Sequence, residues 1–161
     1  MNPFSSMEKI VVNAGIGKLT SMPNFKDKVL PEITAEFAAI VGQKPSPRGA
    51  KKSIAGFKLR EGTVVGLVAT IRGARMRSFF ERMNKVVLPR VRDFRGIPRK
   101  NIDLQGNLTI GIKEHTIFPE ISPEHSKVSF GLQMTIVPKK PMHREEAVAW
   151  YQSLGVPLTK N

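Results

Sequence analysis

Apolar and polar positions alternate along residues 8–14: Ile10, Val12 and Ala14 fall on one side and Val11 and Asn13 on the other. That two-residue period predicts a strand with one face buried and Asn13 on the opposite face from Val12. In NFKDKVLPEITAEFAAIVG the period changes. Phe25, Val29, Ile33, Phe37 and Ile40 recur at helical spacing, and Gly42 stands where a helix closes on a glycine. Pro31 either kinks this helix or marks its true first turn. GTVVGLVATIRG is rich in β-branched residues and predicts a central strand, with Thr70 and Arg72 on one face and Ala69 and Ile71 on the other. From Ala74 to Val87, the residues Met76, Phe79, Phe80, Met83, Val86 and Val87 form an apolar stripe. Arg75, Arg77, Arg82 and Lys85 fall largely elsewhere, so this helix has a basic back that Pro89 terminates. NLTIGI and KVSFGLQMTIV predict two more strands, and HREEAVAWYQSLG a closing helix capped by Gly155. Trp150 and Tyr151 on that helix read as one core aromatic and one half-buried neighbour. Helices interrupting strands joined by long connections predict an α+β fold: a single antiparallel sheet with helices packed on it, in one domain over residues 1–161.

The glycine-rich turn after the first strand, NAGIGKLT, invites a phosphate-binding reading that its spacing denies. A P-loop requires a glycine five residues before Gly17, where Val12 stands, and a hydroxyl after Lys18, where Leu19 stands. A dinucleotide fingerprint needs a third glycine where Thr20 stands. No nucleotide cofactor is expected.

Net charge changes the picture more than any motif. The formal charge is +13, with 26 basic and 13 acidic side chains among 161 residues. Residues 1–43 carry four of each sign and residues 101–161 carry six of each. The remaining sixteen basic groups lie in residues 44–100 against only Glu61, Glu81 and Asp93. Like charges crowded into a third of the chain repel one another unless a polyanion neutralises them. Arginine predominates there, and no basic helix with a wide apolar face stands out, so the expected partner is nucleic acid rather than a membrane. Lys44, Arg48, Arg75, Arg92 and Arg95 are candidate nucleic-acid contacts within it. GQKPSPRGAKKSIAGFKLREG, residues 42–62, is the most concentrated stretch, with six basic residues before its first acid. Small residues leave its backbone accessible, so it is expected to project from the sheet as a long basic hairpin loop.

Catalytic and metal chemistry find no constellation. His115, His125 and His143 lie in separate loops without metal-ligand spacing and read as surface residues. No GxSxG elbow occurs, and Glu114, Glu120 and Glu124 read as solvated. The chain has no cysteine, which suits a reducing cytosolic compartment, and no apolar run of the roughly 18 residues that a membrane span requires. Its first residues lack the basic and apolar segments of an export signal. No enzyme activity, metal or cofactor is expected.

The strings MEKIVVNAGIGK, GQKPSPRGAKKSIAGFKLREG, ATIRGARMRSFFERM, LPRVRDFRG and GNLTIGIKEHTIFPEI, in this order, resemble the universal large-subunit ribosomal protein five family in its bacterial form. The resemblance runs from about residue 7 to the C-terminus. It implies a cytoplasmic ribosomal protein that binds 5S rRNA in the central protuberance, lies among large-subunit rRNA, contacts peptidyl-site tRNA and touches a small-subunit head protein. On the matching motifs, the 5S-facing residues would be Asn13, Gln43, Thr70 and Arg72. The tRNA-facing loop would use Lys51, Lys52, Phe57, Lys58 and Arg60. Asn13 and Gln43 can donate and accept toward bases or 2′-hydroxyls, and Arg72 can fork onto phosphate. The family usually opens with a helical segment ahead of the first strand, whereas six residues precede Met7 here. The span between Asn13 and Gln43 is a few residues longer than in compared members, so the first helix is expected to begin late. Rival functions are a non-ribosomal RNA chaperone and an enzyme acting on an anionic substrate; the second lacks a nucleophile, a base and a metal site.

Overall fold

The computed structural model describes residues 2–53 and 60–160. Its strands are β1 (Met7–Gly15), β2 (Ser46–Gly49), β3 (Val64–Ile71), β4 (Leu108–Ile112) and β5 (Leu132–Pro138). Its α-helical segments are α1 (Leu30–Val41), α2 (Gly73–Arg82), α3 (Leu88–Arg90) and α4 (Arg144–Ser153). The strands form one antiparallel sheet in the order β2-β3-β1-β5-β4, giving the expected α+β fold. β3 is interior, flanked by β2 and β1, but β1 and not β3 holds the centre. By compactness the chain divides into residues 1–11, 70–111 and 133–161 as one unit and residues 12–69 and 112–132 as another.

In the second unit, Val12 and Ala14 of β1 are fully buried, as are Ile33, Phe37 and Ile40 of α1. The periodicity of both elements therefore describes real burial, each large side chain contributing roughly 1.5–3 kcal/mol. Gly42 ends α1 at φ +81°, its N–H donating to the Ala38 carbonyl at 2.8 Å, a backbone conformation that a side chain would strain.

Two prolines shape the helices in the same way. A π turn, Phe25–Val29, precedes α1, with the Leu30 N–H bonded to the Phe25 carbonyl. A second, Met83–Val87, follows α2, with the Leu88 N–H bonded to the Met83 carbonyl. Pro31 and Pro89 come directly after these leucines. A proline ring collides with the carbonyl four residues back, and widening the turn moves that carbonyl aside, so the helical path passes each proline instead of stopping. The wide turn also shifts the face of the second helix. Val86, expected in the apolar stripe, is 40 % exposed, while Met83, Val87 and Leu88 are buried.

β2 has no counterpart in the predicted elements. Its residues SPRG pair antiparallel with β3, Ser46 opposite Val68 and Pro47 opposite Leu67, with an irregularity between Arg48 and Gly49. It is an edge strand, where proline's missing N–H is tolerated. β5 begins at Leu132, five residues later than the strand expected from Lys127.

In the first unit, Tyr151 is fully buried and Trp150 half-buried, the expected division. The Tyr151 hydroxyl donates to the carbonyls of Gly106 at 2.6 Å and Ile136 at 3.3 Å, and burial pushes its pKa above the ordinary tyrosine value. The indole N–H of Trp150 donates to the Pro3 carbonyl at 2.9 Å. Phe4 meets Phe80 edge-on at 5.5 Å, so the N-terminal turn is clasped to both α4 and α2. Tyr151→Phe removes one donor from two buried carbonyls and is expected to cost about 1–2 kcal/mol, lowering the melting temperature by roughly 3–6 °C. Calorimetry of the two proteins measures this, and an unchanged transition would mean that the hydroxyl does not tie α4 to its neighbours.

Candidate nucleic-acid interface

Asn13 lies between the buried Val12 and Ala14, so the alternation of β1 turns it to the opposite face, where it is half-buried. Gly15 beyond it is exposed, with open space around the position a Cβ would take. Gln43 follows the left-handed Gly42 and is half-buried, and Lys44 beside it is exposed. The chain then enters β2, where Arg48 is exposed. Beyond β2 the ladder continues through Ala50, whose N–H donates to Thr63 at 2.7 Å and whose carbonyl accepts from Gly62 at 2.9 Å. A further bond from the Glu61 N–H to the Ser53 hydroxyl, 2.9 Å, narrows the neck of the basic loop. Lys51, Lys52 and Arg60 are exposed around that neck. Phe57 and Lys58 lie outside the described residues. The unit comprising residues 12–69 and 112–132 thus carries Asn13, Gln43, Lys44, Arg48 and the described loop cations.

The other unit carries Thr70, Arg72, Arg75, Arg92 and Arg95. Thr70 is half-buried, between the buried Ala69 and Ile71. Arg72 falls one residue past β3, in extended conformation at the N-cap of α2, and is exposed. The first turn of α2 has no acidic residue, and no side chain caps it. Arg72 and Arg75 therefore add positive charge to a helix end whose partial charge is already positive, an arrangement that an anion would relieve. Neither has an ion pair among the described residues. Two other arginines of this helix are used internally. Arg77 reaches Glu81 at 3.4 Å and lies 4.8 Å from the Phe4 ring, and Arg82 lies 5.9 Å from the Phe79 ring. Arg92 and Arg95 are exposed on the turn after α3, where Asp93 takes a positive φ of 56°.

The surface reading of His115 is overturned. The residue is fully buried, its ring stacked on Phe130 at 3.9 Å. Its Nδ1 accepts from the Phe130 N–H at 3.4 Å, which leaves the proton on Nε2, directed at the Glu36 carboxylate. The Ser126 hydroxyl donates to the same carboxylate oxygen at 3.0 Å and lies 3.1 Å from Nε2. A serine nucleophile needs a basic nitrogen facing its hydroxyl, and here the basic nitrogen faces a backbone N–H. Glu36, His115 and Ser126 hence act as a polar rivet between α1 and the segment before β5. That rivet accompanies the late start of β5: ahead of the strand, Ser126 and Phe130 bond to His115, Ser126 also to Glu36, and the Lys127 N–H donates to the Glu32 carboxylate at 3.4 Å. No spacing in the sequence signals it, because the three residues are separated by as many as 90 positions.

Exposed cations without an ion pair among the described residues, Arg72 and Arg75 foremost, form the kind of surface that a polyanion would neutralise. A model of the ribosomal protein L5 family matches residues 5–60, and a second model, of the C-terminus of the same ribosomal family, matches residues 64–158. The large ribosomal subunit protein uL5 of Roseiflexus castenholzii is 43 % identical over 152 residues, covering 94 % of this chain and 82 % of that protein. Its counterpart in Streptococcus pyogenes serotype M49 is 46 % identical over 154 residues, covering 96 % and 83 %. The chain belongs to the ribosomal protein L5 family.

Proposed function

We propose that the chain is a structural constituent of the large ribosomal subunit in the cytoplasm, holding 5S rRNA in the central protuberance. The observation that carries this reading is its likeness, over four-fifths of their length, to proteins named large ribosomal subunit protein uL5. Residues 1–161 serve as one rRNA-binding domain. Asn13, Gln43, Thr70 and Arg72 meet 5S rRNA, with Lys44, Arg48, Arg75, Arg92 and Arg95 adding phosphate contacts. Support comes from the half-open face of β1 that carries Asn13, and from Arg72 and Arg75 at the uncapped start of α2. The loop over residues 50–60 reaches peptidyl-site tRNA through Lys51, Lys52, Phe57, Lys58 and Arg60, and another surface touches a small-subunit head protein.

Binding to 5S rRNA is expected to weaken with salt at a log–log slope of roughly −0.7 to −0.9 per phosphate neutralised. Asn13→Ala and Arg72→Ala are each expected to weaken binding by about 1–3 kcal/mol, while melting stays within about 0.5 kcal/mol of the parent. Filter binding across a salt series, with an unrelated structured RNA as competitor, reads both effects. A flat slope removes the electrostatic account, and equal affinity for the unrelated RNA favours a general RNA chaperone.

Replacing residues 51–58 by a tight glycine turn separates the loop from the 5S interface. Ribosomes carrying this variant are expected to retain the protein and 5S rRNA but to hold peptidyl-site tRNA less tightly. Loss of 5S rRNA from those particles would put the loop in the 5S contact, and unaltered tRNA retention would deny it a tRNA role.

A further inference from the structure

Leu104 is 84 % exposed, far beyond Met22 at 37 % and Val86 at 40 %, the other large apolar side chains on the described surface. A single exposed leucine is ordinary when its loop can fold it away. This loop cannot. Ile102 and Leu108 are bridged, the Asp103 N–H donates to the Asn107 carbonyl at 3.0 Å, and the Gly106 N–H to the Asp103 carbonyl at 3.2 Å. The Asp103 carboxylate accepts from the N–H groups of Gln105 and Asn107 and from the Asn107 side-chain amide, each at 2.9 Å. From outside the turn, the Met142 N–H donates to the Gln105 carbonyl at 3.0 Å and the Tyr151 hydroxyl to that of Gly106. Gly106, at φ +88°, lets the Met142 backbone come so near that a Cβ would sit 3.0 Å from the Met142 Cβ. Leu104 is held in solvent by a turn fixed on every side.

The flank of this turn is basic. The Arg144 Nε donates to the Ile102 carbonyl at 3.1 Å, Lys100 precedes Ile102 by two residues, and Lys139 and Lys140 lead into Met142. The three lysines are exposed and have no ion pair among the described residues. The nearest acids on the same segments are Asp103, consumed by the turn, and Glu145 and Glu146, which complement the N-terminal end of α4. Cations around one rigid apolar tip match RNA: phosphates for the lysines and Arg144, and the face of a ribose or unstacked base for the leucine. A protein surface that took the leucine would also have to supply carboxylates for these cations.

We propose that the turn at residues 102–108, with Lys100, Lys139, Lys140 and Arg144, is a further ribosomal RNA contact in which Leu104 packs against a ribose or an unstacked base. This rests on the ribosomal reading above and goes beyond the 5S and tRNA contacts. The test puts photo-leucine at position 104 of the full chain, lets the protein assemble into large subunits in cells, and irradiates the purified particles. The expected result is full occupancy of the subunit with position 104 crosslinked to rRNA. Full occupancy with crosslinks only to protein, or with none, overturns the RNA contact while leaving the ribosomal role intact. Absence of the protein from large subunits overturns both.

Discussion

Everything in this protein depends on strands that bury only one of their two faces. In β1, Ile10, Val12 and Ala14 are inaccessible while Val11 and Asn13 remain half-open, and in β3 the buried Leu67, Ala69 and Ile71 alternate with Val68 and Thr70. A register slip of one residue would turn three apolar side chains of either strand to the open side and lose several kcal/mol. The same alternation that holds the fold therefore fixes which polar side chains face outward. Asn13 and Thr70 lie on the face opposite the core because their neighbours are buried.

Much of this was legible because burial with a regular period writes itself into sequence. β1, α1 up to Gly42, the stripe of Met76, Phe79 and Phe80, and α4 with Tyr151 inside all follow directly from spacing. What escaped has other causes. β2 consists of Ser, Pro, Arg and Gly with all four residues exposed, and it is a strand only because β3 offers it a partner. Val86 left the stripe because the π turn ahead of Pro89 rotates everything after Met83. The late start of β5 and the burial of His115 both accompany a hydrogen-bonded rivet whose members lie on distant segments.

The candidate site divides in the same way. Charge counting located the basic third of the chain, and the motifs singled out Asn13, Gln43, Thr70 and Arg72. Neither could distinguish arginines engaged by neighbouring side chains from those left without an ion pair among the described residues. Arg77 and Arg82 lie over phenylalanine rings, and Arg77 also pairs with Glu81, whereas Arg72 and Arg75 crowd a helix end where positive charge is unfavourable. A fold that leaves such charges uncompensated sacrifices some stability as a free protein and recovers it with a polyanion.

Residue-resolved chemical modification, with arginine- and lysine-directed reagents and mass spectrometry, tests this account most directly on the protein with and without 5S rRNA. The account predicts strong protection of Lys44, Arg48, Arg72 and Arg75, with Arg77, Lys26, Lys28 and Lys127 reacting as they do in the free protein. Protection of Arg77, Lys26 or Lys127 with Arg72 and Arg75 still reactive would contradict it.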